Sequence, residues 1–172
     1  MPLTTLQADI TKIRVDATVN AANTSLLGGS GVDGAIHKAA GPALLDECRA
    51  IRARQGGCKV GEAVITGAGN LPSKYVIHTV GPVWGNNPYE AKQLLARAYQ
   101  SCLELASSHN LASIAFPNIS TGIYRFPKDL AAEIAIATCT DWLTTRPSPT
   151  DIRFVCFDAE NLAIYQRLLS AE

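Results

Sequence analysis

Residues 20–37 read Asn-Ala-Ala-Asn-Thr-Ser-Leu-Leu-Gly-Gly-Ser-Gly-Val-Asp-Gly-Ala-Ile-His, and this stretch decides the fold. A short β-branched run precedes it and an alanine-rich segment follows it, which predicts a strand, a glycine-rich loop and a helix. Glycine accepts positive φ angles and lets the backbone approach a ligand, while the N–H groups that open a helix point towards an anion. The pattern therefore predicts a phosphate-binding loop around four glycines: Gly28, Gly29, Gly31 and Gly34.

Three polar side chains frame this loop. Asn20 and Asn23 can each donate and accept hydrogen bonds, as sugar hydroxyls require, and Asp33 can orient a hydroxyl or a water molecule. The glycines match neither a P-loop, which needs Gly-Lys-Ser/Thr at its end, nor a Gly-x-Gly-x-x-Gly fingerprint in a proper frame. The candidate site is thus an anion-binding loop with its own carboxylate.

The composition indicates one globular domain over residues 1–172. The chain has 47% hydrophobic and 17% charged residues, which excludes a disordered chain, and no apolar run approaches the roughly 20 residues needed to cross a bilayer. Fifteen basic and fifteen acidic residues give a net charge of zero, so the totals do not indicate a cationic nucleic-acid surface. The start, Met-Pro-Leu-Thr-Thr, lacks the features of a signal peptide, and we expect a cytoplasmic protein without a membrane partner.

Cysteine and histidine spacing gives no indication of a metal or cofactor. The five cysteines are an odd number without a Cys-x-x-Cys pair, so neither a zinc site nor a disulfide framework is predicted. His78 lies inside a predicted strand and is interpreted as a hydrogen-bonded core residue without chemistry. His37 is expected to support the glycine loop through a hydrogen bond.

Strands alternate with helices along most of the chain, which predicts a three-layer α/β/α sandwich. Two strands joined by a short turn make the central sheet mixed, not wholly parallel. The predicted strands are residues 3–7, 15–21, 62–66, 75–80, 113–117 and 152–157. The predicted helices are residues 34–40, 42–55, 89–108, 128–144 and 160–169.

A second loop of small, hydroxyl-bearing and glycine residues, 118–124, follows the fifth strand. Two such loops at the carboxyl ends of strands suggest one crevice. At the end of the first strand, Asp9 either caps a turn or accepts the exocyclic amine of an adenine, two alternatives of equal weight. Phe157, at the end of the last strand, is either a core residue or a stacking face for a purine ring.

Four segments resemble the macrodomain family in the same order: residues 7–11, 20–37, 76–82 and 116–127. Within that family the chain is most similar to MacroD-type hydrolases, which include bacterial O-acetyl-ADP-ribose deacetylases. The resemblance implies an ester hydrolase that removes an acetyl group from ADP-ribose, or an acidic side chain from its anomeric carbon. It implies no cofactor and no metal.

The resemblance also implies a role for each site residue. Asp9 and the backbone of Ile10 would contact adenine, and Phe157 would stack on it. Asn23 and Tyr124 would contact the distal ribose, Asn20 belongs to the same substrate-binding set, and Asp33 would position the attacking water. The diphosphate would be held by residues of both loops: Gly31, Val32, Ser120, Thr121, Gly122 and Ile123.

Two positions depart from the family, which usually has glycine where this chain has Ser30 and Arg125. If the backbone there needs a positive φ, a non-glycine residue costs about 1 kcal/mol or more. Arg125 could tighten diphosphate binding or could cover the ribose and slow hydrolysis, and the sequence leaves both alternatives open.

Two other functions also stay open. A non-catalytic ADP-ribose reader needs the cradle alone, but it has no need of Asp33. A regulatory protein that interacts with RNA or RNA-processing proteins would be expected to carry a basic surface, which the zero net charge disfavours. The expected partners are therefore ADP-ribose and its esters, with ADP-ribosylated proteins as larger substrates.

Overall fold

The computed structural model describes residues 2–171, which form a six-stranded sheet with helices on both faces. The strands are β1 (Leu3–Gln7), β2 (Ala17–Ala21), β3 (Ala63–Gly67), β4 (Tyr75–Thr79), β5 (Ser113–Phe116) and β6 (Asp151–Cys156). The α-helices are α1 (Gly31–Ala40), α2 (Pro42–Gln55), α3 (Pro88–Ser108), α4 (Lys128–Thr145) and α5 (Ala159–Ser170). A short 3-10 turn, Ile10–Lys12, follows β1.

The sheet is mixed, as predicted. Its strand order is β1-β6-β5-β2-β4-β3; β3 pairs antiparallel with β4, and every other pairing is parallel. Parallel strands end at the same edge of a sheet, so the carboxyl ends of β1, β2, β4, β5 and β6 lie side by side. The residues that follow these strands are therefore neighbours in space.

Two hydrophobic cores, one on each face of the sheet, confirm the three-layer sandwich. One core packs Leu95 and Tyr99 of α3 and Ala132 of α4 against the sheet. The other packs Ile36 of α1 and Leu44 of α2 against the opposite face. The central strands are covered on both sides, which is why they read as nearly continuous apolar runs.

The predicted start of the first helix, residue 34, was wrong, because α1 begins at Gly31. Gly34 lies inside this helix, where an added Cβ would stand only 2.5 Å from the carbonyl oxygen of Gly29. Glycine is needed there because the loop packs directly onto the helix, not because the chain turns. The sequence pattern alone does not distinguish these two uses of glycine. The other predicted elements are confirmed, with ends displaced by one or two residues.

None of the helices within residues 2–171 has a stretch long and apolar enough to cross a membrane.

We expect Gly81→Ala to lower the free energy of unfolding by about 1–3 kcal/mol, the usual range for overpacking. Gly81 follows β4, and a Cβ there would lie 2.2 Å from Ser120 Oγ and 2.6 Å from Ile119 Cγ2. Gly85→Ala is the matched control, because a Cβ at Gly85 meets nothing within 4 Å. Urea denaturation of both variants measures the difference, and equal stabilities would show that Gly81 does not set this contact.

Candidate active site

The carboxylate of Asp33 lies in the first turn of α1 and is buried, with 5% of the residue exposed. Its Oδ1 accepts a hydrogen bond from Asn20 Nδ2 at 2.8 Å and lies 3.4 Å from His37 Nε2. Burial raises the pKa of Asp33, and the bond from Asn20 and the proximity of His37 offset only part of that effect. Asp33 is therefore a more basic carboxylate than an exposed one.

The glycine loop brings the side chains of Asn23 and Asp33 to one gap, the space beside the Cα atom of Gly29. A Cβ placed on Gly29 would lie 3.2 Å from Asp33 Oδ2 and 3.3 Å from Asn23 Nδ2. Any side chain at this position would therefore fill the space between the two polar groups. Gly29 keeps that space open.

Asn23 also holds the loop together. Its Nδ2 donates to the carbonyl oxygen of Gly28 at 3.0 Å, and its Oδ1 accepts from the backbone N–H of Ser25 at 3.1 Å. One amide hydrogen of Asn23 is left for a ligand hydroxyl, because the side chain has two and Gly28 takes one.

Asn20 is completely buried, and its amide forms hydrogen bonds with other side chains of the protein. Besides Asp33, its Nδ2 contacts His78 Nδ1 at 3.1 Å, and His78 Nε2 lies 2.9 Å from Thr66 Oγ1. Burial lowers the pKa of His78 to about 3, so its ring is neutral at physiological pH. The structure therefore places Asn20 beneath the site. The sequence pattern predicts His78 only as a core residue without chemistry, and the β2–β4 pairing reveals that it adjoins Asn20.

The second loop, residues 118–124, is held in shape by backbone hydrogen bonds that also involve the two residues after it. Phe126 N donates to Ser120 O at 2.9 Å, and Arg125 N donates to Gly122 O at 3.0 Å. Ser120 and Arg125 adopt positive φ values of 67° and 60°. Tyr124 is tied to the loop after β4, since its carbonyl oxygen accepts from Trp84 N at 2.8 Å.

The exposed face of this second loop differs from its buried side. Ile123 is 82% exposed, whereas Ser120 Oγ is buried and has no hydrogen-bond partner within residues 2–171. Thr121 and Gly122 lie beside Ile123 at the surface of the loop, and a Cβ at Gly122 would meet nothing within 4 Å. Gly122 is therefore open to a ligand.

The two departures from the family differ in their backbone. Ser30 has a φ of −99°, so the strain expected for a positive φ does not arise there. Arg125 does adopt the left-handed conformation, which costs a side-chain-bearing residue about 1 kcal/mol or more. Its exposed side chain makes no hydrogen bond or ion pair with any other residue that the structure describes.

Asp9, Ile10 and Phe157 follow β1 and β6 at the same sheet edge. Asp9 caps the 3-10 turn, accepting from Thr11 Oγ1 at 2.7 Å and from Thr11 N at 3.0 Å, and these bonds lower its pKa. Both bonds end on Oδ1, so Oδ2 remains for a ligand amine. Ile10 is buried, whereas Phe157 is 86% exposed, so Phe157 is not a core residue.

Thiol chemistry is not favoured in this region. Burial raises the pKa of Cys48 and of Cys58 to about 11, so both thiols are protonated at neutral pH. His37, Cys48 and His78 bring one potential metal ligand each within 4.8 Å of one another. Both ring nitrogens of His78 already contact Asn20 and Thr66, so a metal ion would have to displace one of these partners.

A cavity of about 520 Å³ lies between residues 24–25 and residues 52–62. It is lined by Thr24, Ser25, Arg52, Gln55, Gly56, Gly57, Cys58, Lys59 and Glu62, none of which is a predicted site residue. The candidate active site is at Asp33 instead, because the raised pKa and the converging amides occur there.

The chain matches a known protein family and named relatives. The profile of the Macro domain family matches residues 19–135. The chain is 56% identical over 168 residues to "O-acetyl-ADP-ribose deacetylase 1" of Pantoea vagans, covering 98% of each chain. It is 54% identical over 170 residues to O-acetyl-ADP-ribose deacetylase of Salmonella typhimurium, covering 99% of this chain and 95% of that one.

Solved structures of macrodomains also match the chain. The Oceanobacillus iheyensis macrodomain with ADP matches with a TM-score of 0.93 and 44% identity, covering 97% of this chain and 89% of that one. The Trypanosoma brucei macrodomain in complex with ADP-ribose matches with a TM-score of 0.89 and 38% identity, covering 98% of this chain and 69% of that one.

We expect Asp33→Asn to be more stable than the natural protein at neutral pH. The raised pKa of Asp33 means that the folded protein holds the proton more tightly than the unfolded chain, so stability is lost as the pH rises above the ordinary value of 3.8. Asparagine has no charge to bury and keeps an acceptor for Asn20. The advantage should therefore shrink as the pH falls towards 3.8.

Asp16→Asn is the matched control with the opposite sign. Burial raises the pKa of Asp16, but bonds from the N–H groups of Ala112 and Ser113, together with the nearby ammonium of Lys74, outweigh burial and hold the pKa below its ordinary value. This variant should lose stability at neutral pH. Denaturant unfolding across the acid range measures the stability of both variants. A change in the free energy of unfolding with the same sign in the two variants would contradict the opposite pKa shifts of Asp33 and Asp16.

Proposed function

Because the chain belongs to the macro domain family, we propose that it is an ADP-ribose-binding hydrolase that removes ester-linked groups from ADP-ribose. O-acetyl-ADP-ribose is the first substrate, and ADP-ribose linked to an Asp or Glu side chain is the second. The observation that carries the proposal is the buried carboxylate of Asp33, which shares one gap with Asn23 under the glycine loop. The relatives named as deacetylases and the macrodomains bound to ADP and ADP-ribose support it.

The ligand would extend along the sheet edge in three parts. Adenine would stack on the exposed ring of Phe157, with its amine on Asp9 and a backbone contact from Ile10. The diphosphate would lie between the start of α1 at Gly31 and Val32 and the second loop, Ser120 to Ile123. Backbone N–H groups and a helix dipole can hold two phosphate charges without a metal. The distal ribose would then meet Asn23 and Tyr124.

In the proposed reaction, water attacks the ester carbon next to the distal ribose. Asp33 and a diphosphate oxygen orient the water, so that positioning supplies much of the rate. The hydroxide part of the water joins the acyl carbon, the bond to the ribose oxygen breaks, and the proton ends on that oxygen. The products of deacetylation are acetate and ADP-ribose. The burial that raises the pKa of Asp33 also makes it a better acceptor of the water proton.

Asp33→Ala should lower turnover by about 10²-fold or more, the usual contribution of an acid–base group, while the affinity for ADP-ribose falls less. The assay compares three substrates: O-acetyl-ADP-ribose, an ADP-ribosylated acidic peptide and an ADP-ribosylated nucleic-acid end. Released ADP-ribose is measured for each. Asp129→Ala is the control, because Asp129 is an exposed partner of Arg167 on the surface.

Unchanged turnover in Asp33→Ala would remove this residue from the mechanism. Binding of ADP-ribose by the natural protein without hydrolysis of any of the three substrates would instead identify a reader.

We expect Arg125 to alter turnover without being required for ADP-ribose binding. Arg125→Gly removes both the charge and the left-handed strain, whereas Arg125→Lys keeps a charge and the strain. If Arg125→Gly changes turnover and Arg125→Lys keeps the natural value, the effect is due to the charge. If both variants change turnover, the effect is due to the backbone or to the shape of the guanidinium group. Calorimetry on the same variants measures affinity. Binding seen only in the glycine variant would refute the expectation.

A further inference from the structure

A line of buried polar groups runs beneath Asp33 into the sheet. Asn20 on β2 and His78 on β4 are register partners on adjacent parallel strands, so their side chains emerge side by side on one face. Thr66 on β3 lies beyond His78. All three residues are at least 96% buried. Their hydrogen bonds must therefore be made with other protein groups, because water does not reach them.

With the Asn20 amide oriented as in the structure, the donors and acceptors along this line have one consistent assignment. Asn20 Nδ2 carries hydrogens and no acceptor, so His78 Nδ1, 3.1 Å away, must be the acceptor. A neutral imidazole then has its proton on Nε2, which donates to Thr66 Oγ1 at 2.9 Å. The hydroxyl of Thr66 donates in turn to the carbonyl oxygen of Gly67 at 2.9 Å. Both hydrogens of the Asn20 amide are therefore used, one on His78 and one on Asp33.

The orientation of the Asn20 amide matters for the reacting carboxylate. Asn20 Oδ1 is buried without a partner within residues 2–171, so the amide gains nothing at that atom from its present orientation. If the amide turned over, Oδ1 would face the carboxylate of Asp33, and only a protonated Asp33 could bond to it. The present His78 tautomer opposes this turn, because Oδ1 would face the lone pair of Nδ1. Relieving that contact would require the ring proton to move to Nδ1 and the Thr66 hydroxyl to donate to Nε2 and not to Gly67.

We propose that His78 is a positioning residue for the hydrolysis: through Asn20, its Nδ1 acceptor holds Asp33 as the anion that orients the water. The positioning role rests on the proposed function, whereas the hydrogen-bond assignment of Asn20, His78 and Thr66 does not. The titratable groups near Asp33 are His37 on its own helix and Cys48 on α2, and His78 on β4 reaches it through Asn20. Among them, His78 is the one that acts through an amide already bonded to Asp33.

The test uses three variants of the full chain. His78→Leu removes the acceptor, and His78→Gln keeps both an acceptor and a donor on a flexible side chain. Thr79→Val is the matched control, because it deletes a buried hydroxyl on the same strand that bonds to the carbonyl oxygen of Glu62 and not to the line beneath Asp33. Carbon-13 NMR follows the titration of the Asp33 carboxyl, and kinetics and calorimetry give turnover and ADP-ribose affinity.

In His78→Leu we expect the Asp33 titration to move to higher pH and turnover to fall about 10-fold or more, the range seen when a partner that orients a reacting group is removed. Affinity for ADP-ribose should change little. His78→Gln should recover part of both effects, and Thr79→Val should show neither. A folded His78→Leu that keeps the natural titration and turnover, or a loss confined to ADP-ribose affinity, would overturn the proposal.

The natural protein supplies a test that needs no variant. Nitrogen-15 NMR should find the His78 ring neutral at pH 7, with its proton on Nε2. A proton on Nδ1, or a charged ring, would overturn the proposal even if His78→Leu does not fold. The NMR readouts do not depend on turnover. If the ring shows this tautomer but the protein hydrolyses no substrate, the hydrogen-bond geometry stands and the proposed function fails.

Discussion

A carboxylate buried beneath a loop is the constraint on which the rest of this structure depends. Burying a charge is costly, and Asp33 is retained in this setting by the N–H of Asn20, by nearby His37 and by the positive end of α1. The loop can cover it only because Gly29 and Gly34 have no side chains. Gly29, Gly34, the start of the helix and Asn20 on the sheet thus all bear on the Asp33 carboxylate.

The sheet supplies the second condition, since it gathers residues that lie far apart in the chain. Five strands point their carboxyl ends to one edge, so Asp9, the glycine loop, the second loop and Phe157 become neighbours. Gly81 joins this edge through its close contact with Ser120. An elongated ligand with a ring at one end and a sugar at the other suits such an edge. A round pocket would not need so many strand ends.

The predictions were strongest where local chemistry sets the structure. A strand, a loop of glycines and a helix could be predicted from residues 15–40, because glycine and β-branched residues act through their own backbone preferences. The start of α1 was missed since Gly34 serves packing against Gly29, a contact between backbones. The sequence could not predict that Arg125 has a positive φ and Ser30 a negative one, because the sign of φ depends on how each loop closes.

The sequence by itself determined the fold class, the family resemblance and the residue types of the candidate site, because periodicity and motif spacing are properties of the chain. It could not determine that Asn20 lies beneath the site, or that His78 and Thr66 continue its hydrogen bonds. Those relations exist only across strand pairs, and the register of a sheet is set by the packing of both faces together. Only the folded chain shows that Asn23 lies at the gap beside Gly29 while Asn20 holds the acid from below.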